Sequence, residues 1–452
     1  MKKSVPPLSS TISRRNLLKL SSLGPLVLAA NGTASLGAVG PRFSGRGQSS
    51  GSAPAKATSI REFLRGITYR REEVDTFLDP KQPNWTKFDP DLGYTLRTNV
   101  LKDGMDESRT LTSYQTTGER TMINYADRLC RINTYGNSFT QCQQASDGET
   151  WQEYLAAHLG EPIRNYGVGG YGTYQAYRRM LREEATPRGA DYLILNIWDI
   201  DDYLRSVDSW FWLRIAPWFR SHPGHLYMFL GHPRVYARLN MATGELVEKE
   251  NLFRTPESLY QLCDPEYVYE HFRNDLVVKL LVAQEGGSDV AREELAGMAR
   301  ALSIKGDLSS PKATAATARA VHIEYALRAG LRVIEKAQDF ARAQQKKLLI
   351  LLSCGKGAVI RACEGRPRVD QSVVDFLKQK NFVFVDGLSK HLEDFKSFKV
   401  SPREYVKRYY IGHYNPRGNH FFGFAIKDAV VNWLEPKPVA YREGSETIPP
   451  VV

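Results

Sequence analysis

A serine stands where a short apolar run breaks into a turn, in Arg131-Ile132-Asn133-Thr134-Tyr135-Gly136-Asn137-Ser138-Phe139-Thr140. A glycine-rich turn follows at Asn165-Tyr166-Gly167-Val168-Gly169-Gly170-Tyr171-Gly172-Thr173, and a histidine comes late, in Gly412-His413-Tyr414-Asn415-Pro416-Arg417-Gly418. A serine hydroxyl is a poor nucleophile until a neighbouring base takes its proton. Backbone N–H groups at a helix start suit a developing oxyanion. The three segments therefore offer the parts of an acyl-transfer site: nucleophile, oxyanion donor and general base. Gly-Asn-Ser alone is a common tripeptide, and a plain turn serine is the competing reading. The combination with the other two segments is what favours chemistry.

Elements must bring these segments together. Short apolar runs bounded by turn formers occur at Leu129–Tyr135, Ile163–Tyr166, Tyr192–Ile197, Lys347–Leu352 and Phe382–Val385. Their length suits buried parallel strands. Helical patterns at Thr150–Leu159, Gln175–Glu184 and Val373–Gln379 alternate with them. The expected fold class is α/β: a three-layer, doubly wound, mostly parallel five-stranded sheet. Ligands in such sheets bind at the carboxyl ends of strands. Ser138 and the Gly167–Gly172 turn both follow such ends, so one crevice can hold them. Residues 203–342 break the rhythm with an aromatic cluster (Trp210, Phe211, Trp212, Trp218, Phe219, Tyr227, Phe229) and helical patterns at Leu276–Gln284, Ala291–Leu302 and Ala315–Gln344. They read as a large, mainly helical insertion whose aromatics form core, a sugar-binding cleft being the alternative.

The run Tyr135-Gly136-Asn137-Ser138-Phe139-Thr140 resembles the first block of the SGNH (GDSL) hydrolase superfamily, usually Gly-Asp-Ser-Phe-Thr. Asn165–Gln175 resembles the second block, whose oxyanion glycine would be Gly170, and Gly412–His420 resembles the block that carries the catalytic histidine, here His413. Asp89–Tyr94 and Gly118-Glu119-Arg120 are similar to the short β-rich lead-in of many members. The likeness covers roughly residues 88–205 and 345–430. It implies an SGNH/flavodoxin-like sheet and a serine esterase with Ser138 as nucleophile, His413 as base, and the N–H groups of Ser138 and Gly170 as oxyanion donors. No cofactor and no metal are implied.

Three departures from that pattern matter. Asn137 replaces the usual aspartate beside the serine. The third block, which normally supplies an asparagine to the oxyanion hole, is degraded to Asn196-Ile197-Trp198-Asp199-Ile200-Asp201-Asp202. Asp199 or Asp201 stands at that position, Asp201 being preferred, and an ionised carboxylate there would repel an oxyanion. The acid expected just before His413 is missing, its places holding Tyr410 and Ile411. Asp386 is the candidate substitute orienter, against a structural turn role, and a histidine without one still acts in a dyad at reduced efficiency. Asp201 and Asp202 can alternatively attract a hard cation. His222, His225 and His232 have no regular metal spacing, His420 reads as packed or hydrogen-bonded, and Gly167–Gly172 lacks the dinucleotide register.

The chain has 452 residues, 42% hydrophobic and 25% charged, which is ordinary globular composition. Its formal net charge of +11 favours anionic partners. Part of that excess lies in Lys2, Lys3, Arg14, Arg15, Lys19, Arg42, Arg46 and Lys56, ahead of the first acidic residue. No block resembles a nucleic-acid stripe, so no nucleic-acid partner is expected. Arg14-Arg15 before the modest apolar stretch Leu17–Ala30 looks like a twin-arginine signal, which implies the matching export machinery as a partner. That stretch is too short and interrupted for a stable membrane span, although an uncleaved anchor and a disordered basic arm are the alternatives. The expected organisation is an export signal at 1–38, a flexible linker at 39–57, a hydrolase-like α/β domain at 58–434 with its lead-in at 58–128, and a C-terminal tail at 435–452. Five sparse cysteines make neither a disulfide scaffold nor a zinc site; Cys354 and Cys363 pair or stay free. The expected protein is an exported, periplasmic or cell-envelope esterase for small, carbohydrate-linked acyl esters. A polysaccharide O-acetyltransferase of the same fold and a degenerate carbohydrate-binding protein are the alternatives.

Overall fold

Parallel pairing of five apolar runs builds the central sheet: β1 (Ile132–Tyr135), β2 (Arg164–Asn165), β3 (Tyr192–Trp198), β4 (Lys347–Ser353) and β5 (Phe384–Asp386). The order across the sheet is β5-β4-β3-β1-β2, and every neighbouring pair is parallel. The computed structural model describes residues 59–442 apart from 83, 222–231 and 288. The expected signal at 1–38, the linker at 39–57, residues 443–452 of the tail, His222, His225, Tyr227, Phe229 and the side chain of Trp218 lie outside the described residues.

β3 is buried along its whole length because both faces are covered. Alternate side chains divide the core into two halves, as the two-residue period of a strand requires. Leu193, Leu195 and Ile197 meet Met180 of α3 (Thr173–Glu184) and Val333 and Ala337 of α5 (Pro311–Ala343) on one face. Ile194, Ile132 and Leu351 meet Trp151 of α2 (Trp151–Leu159) and Phe422 and Ile426 of α6 (Pro416–Trp433) on the other. Helices on both faces of a parallel sheet make a three-layer α/β architecture.

From β1 the chain passes to β2 on one side, then returns to β3 on the other. That reversal lies between the carboxyl ends of β1 and β3, the place where doubly wound sheets form a ligand-binding crevice. α1 (Ser138–Gln141) leaves β1 at this crevice, and α4 (Asp199–Val207) leaves β3 beside it.

Between β3 and β4 the chain is mostly helical, with helices Leu276–Glu285 and Arg292–Ala301 before α5. It also holds an antiparallel hairpin, Tyr236–Leu239 with Leu246–Lys249, which the helical expectation omitted. Those strands are short, and only Tyr236–Leu239 alternates partly buried with buried residues, while Leu246–Lys249 is mostly exposed, a weak signal in an otherwise helical stretch. Trp210 and Trp212 are buried and pack edge-on against Tyr69 at 4.9 and 5.5 Å, a core role. The lead-in begins with two helices, Ile60–Ile67 and Arg71–Leu78, and only then forms the hairpins Thr86–Asp89/Gly93–Leu96 and Asn99–Leu101/Thr110–Thr112. The start of the tail is held in place, since the Glu435 N–H donates to the Tyr192 hydroxyl at 2.8 Å. Among the described residues no helix is long and apolar enough to cross a membrane.

Arg120 is the buried clasp of the lead-in. Its guanidinium pairs with Asp147 at 2.8 Å and donates to the carbonyls of Gln141, Cys142 and Ala145, the turn that follows α1. Removing one partner of such a pair leaves an uncompensated buried charge. Arg120→Met is therefore expected to cost about 3–5 kcal/mol, measured as the change in unfolding free energy in urea; a change below about 1 kcal/mol would contradict the role.

Candidate active site

The serine turn is built by its neighbours. Asn137 Oδ1 accepts the Phe139 N–H at 2.8 Å, which caps α1, while its Nδ2 donates to Asp202 Oδ1 at 2.7 Å. Asp202 Oδ2 accepts the Trp198 N–H at 2.8 Å. Asn137 is thus structural, tying the Ser138 turn to the start of α4. Burial raises the Asp202 carboxyl to about 7, against the pull of Arg205 and of these donors. Ser138 takes the first helical position, and its N–H has no acceptor among the described residues.

The second turn runs directly over the serine. A Cβ placed on Gly169 would lie 3.7 Å from Ser138 Cβ, and the Gly169 N–H donates to Gln141 Oε1 at 2.8 Å. Gly170 has φ +84°, a region that L side chains rarely adopt. A Cβ there would sit 2.5 Å from the Tyr94 hydroxyl and 3.1 Å from the Phe211 ring. The Gly170 carbonyl is held by Arg234 Nη1 at 2.8 Å, whereas its N–H has no acceptor among the described residues. Two unclaimed N–H groups therefore belong to the serine turn and the glycine loop.

His413 reaches the serine from the other end of the chain. The Ser138 hydroxyl donates to His413 Nε2 at 2.8 Å. On the far side of the ring, Nδ1 lies 3.2 Å from Gln144 Oε1, an oxygen that also accepts the Gly412 and His413 N–H groups at 3.1 and 2.8 Å. Gln144 Nε2 donates to the Asp103 carbonyl at 2.9 Å, which fixes the amide with its oxygen toward the histidine. Facing an acceptor, Nδ1 carries the ring proton, so Nε2 keeps its lone pair toward the Ser138 hydroxyl. Gln144 thus does the orienting that a carboxylate does in a Ser-His-Asp triad. It sits six residues after Ser138 with φ +72°, in the turn clasped by Arg120.

The histidine loop rests on a buried polar cluster. His391 accepts or donates at 3.0 Å to Tyr405 through Nδ1, and its Nε2 faces the hydroxyls of Tyr414 at 2.8 Å and Tyr410 at 3.0 Å. Tyr410 also donates to the Cys354 carbonyl at 2.9 Å. The residues flanking His413 are therefore anchored on both sides, by groups that show no signal in the sequence beyond a run of tyrosines.

The expected acids lie elsewhere. Asp386 does not orient His413: its Oδ1 caps the following helix at the Leu388 N–H, and its Oδ2 pairs with Arg368 at 2.8 Å. Asp201 is not an oxyanion donor either. Arg205 at 2.5 Å and Arg214 at 3.1 Å take its two oxygens, and despite burial these guanidinium groups hold it below its usual range, ionised and without a proton to donate. Asp199 has φ +48° and accepts the next residue's N–H at 2.8 Å. Asn196, the asparagine of that stretch, donates instead to Thr140 Oγ1 at 3.0 Å. With these partners Asp201 and Asp202 are not set up as a cation site, and the described residues contain no group of three potential metal ligands. His232 is buried and stacked on Phe77 at 3.6 Å, His420 is exposed at an edge of Tyr154, and the five cysteines are unpaired.

Ser138 and His413 thus meet, the glycine loop approaches the serine through Gly169, and Gln144 joins them from a turn held by Asp103 and Arg120. Compared with known proteins, the chain matches no family model and no curated protein.

Burial, then the nearby charges of Arg205 and Lys356, lowers the His413 imidazole to about 3. Its usual value is about 6.5. The folded-state value is depressed, so the neutral ring persists on acidification until well below pH 5. The ¹⁵N chemical shifts of the ring are expected to stay those of a neutral imidazole with Nδ1 protonated between pH 8 and pH 5. A midpoint between 6 and 7 would contradict the site as described.

Proposed function

We propose that the protein is an exported SGNH-type serine esterase that hydrolyses small acyl esters, carbohydrate-linked in class, through an acyl-serine intermediate. The observation that carries this reading is the 2.8 Å contact between Ser138 Oγ and His413 Nε2, made by residues 275 apart in the chain. A turn serine with no chemistry has no reason to hold a histidine whose other nitrogen is oriented. The two unclaimed N–H groups of Ser138 and Gly170, the five-stranded parallel sheet and the crevice at its reversal point support the same reading.

Ser138 Oγ attacks the ester carbonyl carbon while its proton passes to His413 Nε2. The carbonyl oxygen takes up the negative charge and is received by the N–H groups of Ser138 and Gly170. As the tetrahedral intermediate collapses, the bond to the alcohol oxygen breaks and His413 returns the proton to it. Water then gives a proton to the same nitrogen and attacks the acyl-serine. The carboxylic acid leaves, and the proton returns to Ser138 Oγ. Gln144 keeps the ring in the working tautomer throughout, and no step draws on a cofactor. The sugar class of the substrate and export through the twin-arginine machinery follow from the family likeness and from Arg14-Arg15.

Hydrolysis of a short-chain aryl ester by the purified protein tests the proposal. Ser138→Ala is expected to lose at least about 10³-fold in kcat, and Gln144→Ala roughly 10–100-fold, by freeing the ring. The wild-type kcat/KM should hold nearly constant from pH 8 to pH 5. A base with an ordinary pKa of about 6.5 would keep only about 3% of its neutral form at pH 5. If wild type and Ser138→Ala are equally inert across acyl lengths, the esterase reading fails.

A further inference from the structure

Between Lys396 and His420 the chain carries six cations (Lys396, Lys399, Arg403, Lys407, Arg408 and Arg417) against one acid, Glu404. Glu404 is engaged locally, accepting the Ser401 N–H at 3.0 Å and the Ser401 hydroxyl at 2.7 Å. The nearest preceding acid, Asp394, accepts the hydroxyls of Tyr405 and Tyr409 at 2.9 and 2.8 Å. None of the six cations forms a salt bridge among the described residues, although Arg408 lies over the Phe398 ring at 4.5 Å. Positive charge is concentrated here and left for a partner outside the chain.

The same segment frames an open groove of about 380 Å³, within the range of small-ligand sites. Arg408, Arg417 and His420 are exposed around it. Its floor is aromatic: Tyr409 and Phe421 stack at 4.7 Å, and Phe424 stands 56% exposed beside them. Arg417 is four residues from His413 in the chain, so their Cα atoms lie at most about 14 Å apart. Arginine forks match carboxylates bidentately, and aromatic faces offer apolar area to ring-shaped partners. Phe421 is half-buried and Phe424 exposed, so their faces are open to a ring-shaped partner within the groove.

We propose that this groove binds a segment of an anionic polysaccharide, polyuronate in chemical class, with carboxylates on Arg408 and Arg417 and sugar rings against Phe421 and Phe424. That the bound chain is also the one bearing the ester rests on the reading of Ser138 as its nucleophile; the binding itself does not.

Binding of the full chain to polygalacturonate, with dextran as the neutral control, tests it by affinity electrophoresis. Polygalacturonate retards the protein, dextran does not, and added salt weakens the retardation. The double variant Arg408→Ala/Arg417→Ala binds at least about tenfold more weakly, and Phe424→Ala is weakened too. Both replace exposed side chains, and unchanged melting temperatures verify their folding. Ser138→Ala binds as wild type does while losing ester hydrolysis, which separates failure of the groove from failure of the esterase reading. Equal retardation by dextran, or undiminished binding by the double variant, overturns the proposal. So does a protein that ignores polygalacturonate and binds only phosphatidylserine vesicles or single-stranded RNA.

Discussion

One amide oxygen organises the candidate site. Gln144 Oε1 receives the Gly412 N–H, the His413 N–H and the His413 Nδ1–H, while the other end of the amide is pinned by the Asp103 carbonyl. Orienting the histidine through an oxygen that also binds its backbone fixes the ring and the loop together. The contact draws on distant parts of the chain: the lead-in supplies Asp103 and Arg120, the turn after β1 supplies Gln144, and the C-terminal region supplies His413. Loss of Gln144, or of the Arg120 clasp on its turn, would loosen the Ser138–His413 alignment without removing either residue. Misplacement on the scale of an ångström is costly in such sites.

The sheet makes that convergence possible. Strand order reverses between β1 and β3, so the segments leaving their carboxyl ends diverge and leave a crevice. Ser138 occupies one wall. The buried Trp198 ring, at the end of β3, stacks on Phe139 beside it at 4.9 Å. Buried charges next to the crevice are paired rather than exposed. Arg214 joins Asp201 to Asp208, Arg205 joins Asp201 to Asp202, and Asp202 reaches Asn137 beside the serine. Buried ions need such partners, since desolvation of a single one costs several kcal/mol. This accounts for a carboxylate standing where an asparagine was expected: Asp201 serves two arginines, not the oxyanion.

Strands β1, β3 and β4 were legible because buried parallel strands read as apolar runs punctuated by turn formers. β2 was legible as a run but pairs over only two residues at the sheet edge. Ser138 and His413 were singled out from their turn surroundings, and the structure brings the two into contact. Gln144 was not. An orienting group was sought next to His413 in the chain, whereas the structure supplies it from 269 residues earlier. A glutamine in a left-handed turn has neither charge nor period to mark it. Asp386 was attractive because it follows the last strand, yet that position equally suits a helix cap, and the cap is what it forms. Arg120 was visible only as part of a lead-in, because its role depends on carbonyls that the fold brings to it.

Replacing an acid by an amide has a definite electrostatic consequence. In the proposed reaction His413 would become a cation near Arg205 and Lys356, in a buried setting that, ahead of those two charges, already lowers its pKa. A carboxylate at about 4 Å would stabilise that cation by roughly 4 kcal/mol at an effective dielectric of 20. Gln144 supplies only the dipole of its carbonyl. Burial, then the charges of Arg205 and Lys356, make the ring a weak base that stays neutral over the physiological range, and in the proposed reaction proton removal from Ser138 would be harder than in a charged triad. What the site gains is constancy, because no protonation of His413 interrupts it in mildly acidic surroundings. Under the proposed function its rate would have to come from geometry: the fixed ring, and the N–H groups of Ser138 and Gly170 that have no acceptor among the described residues.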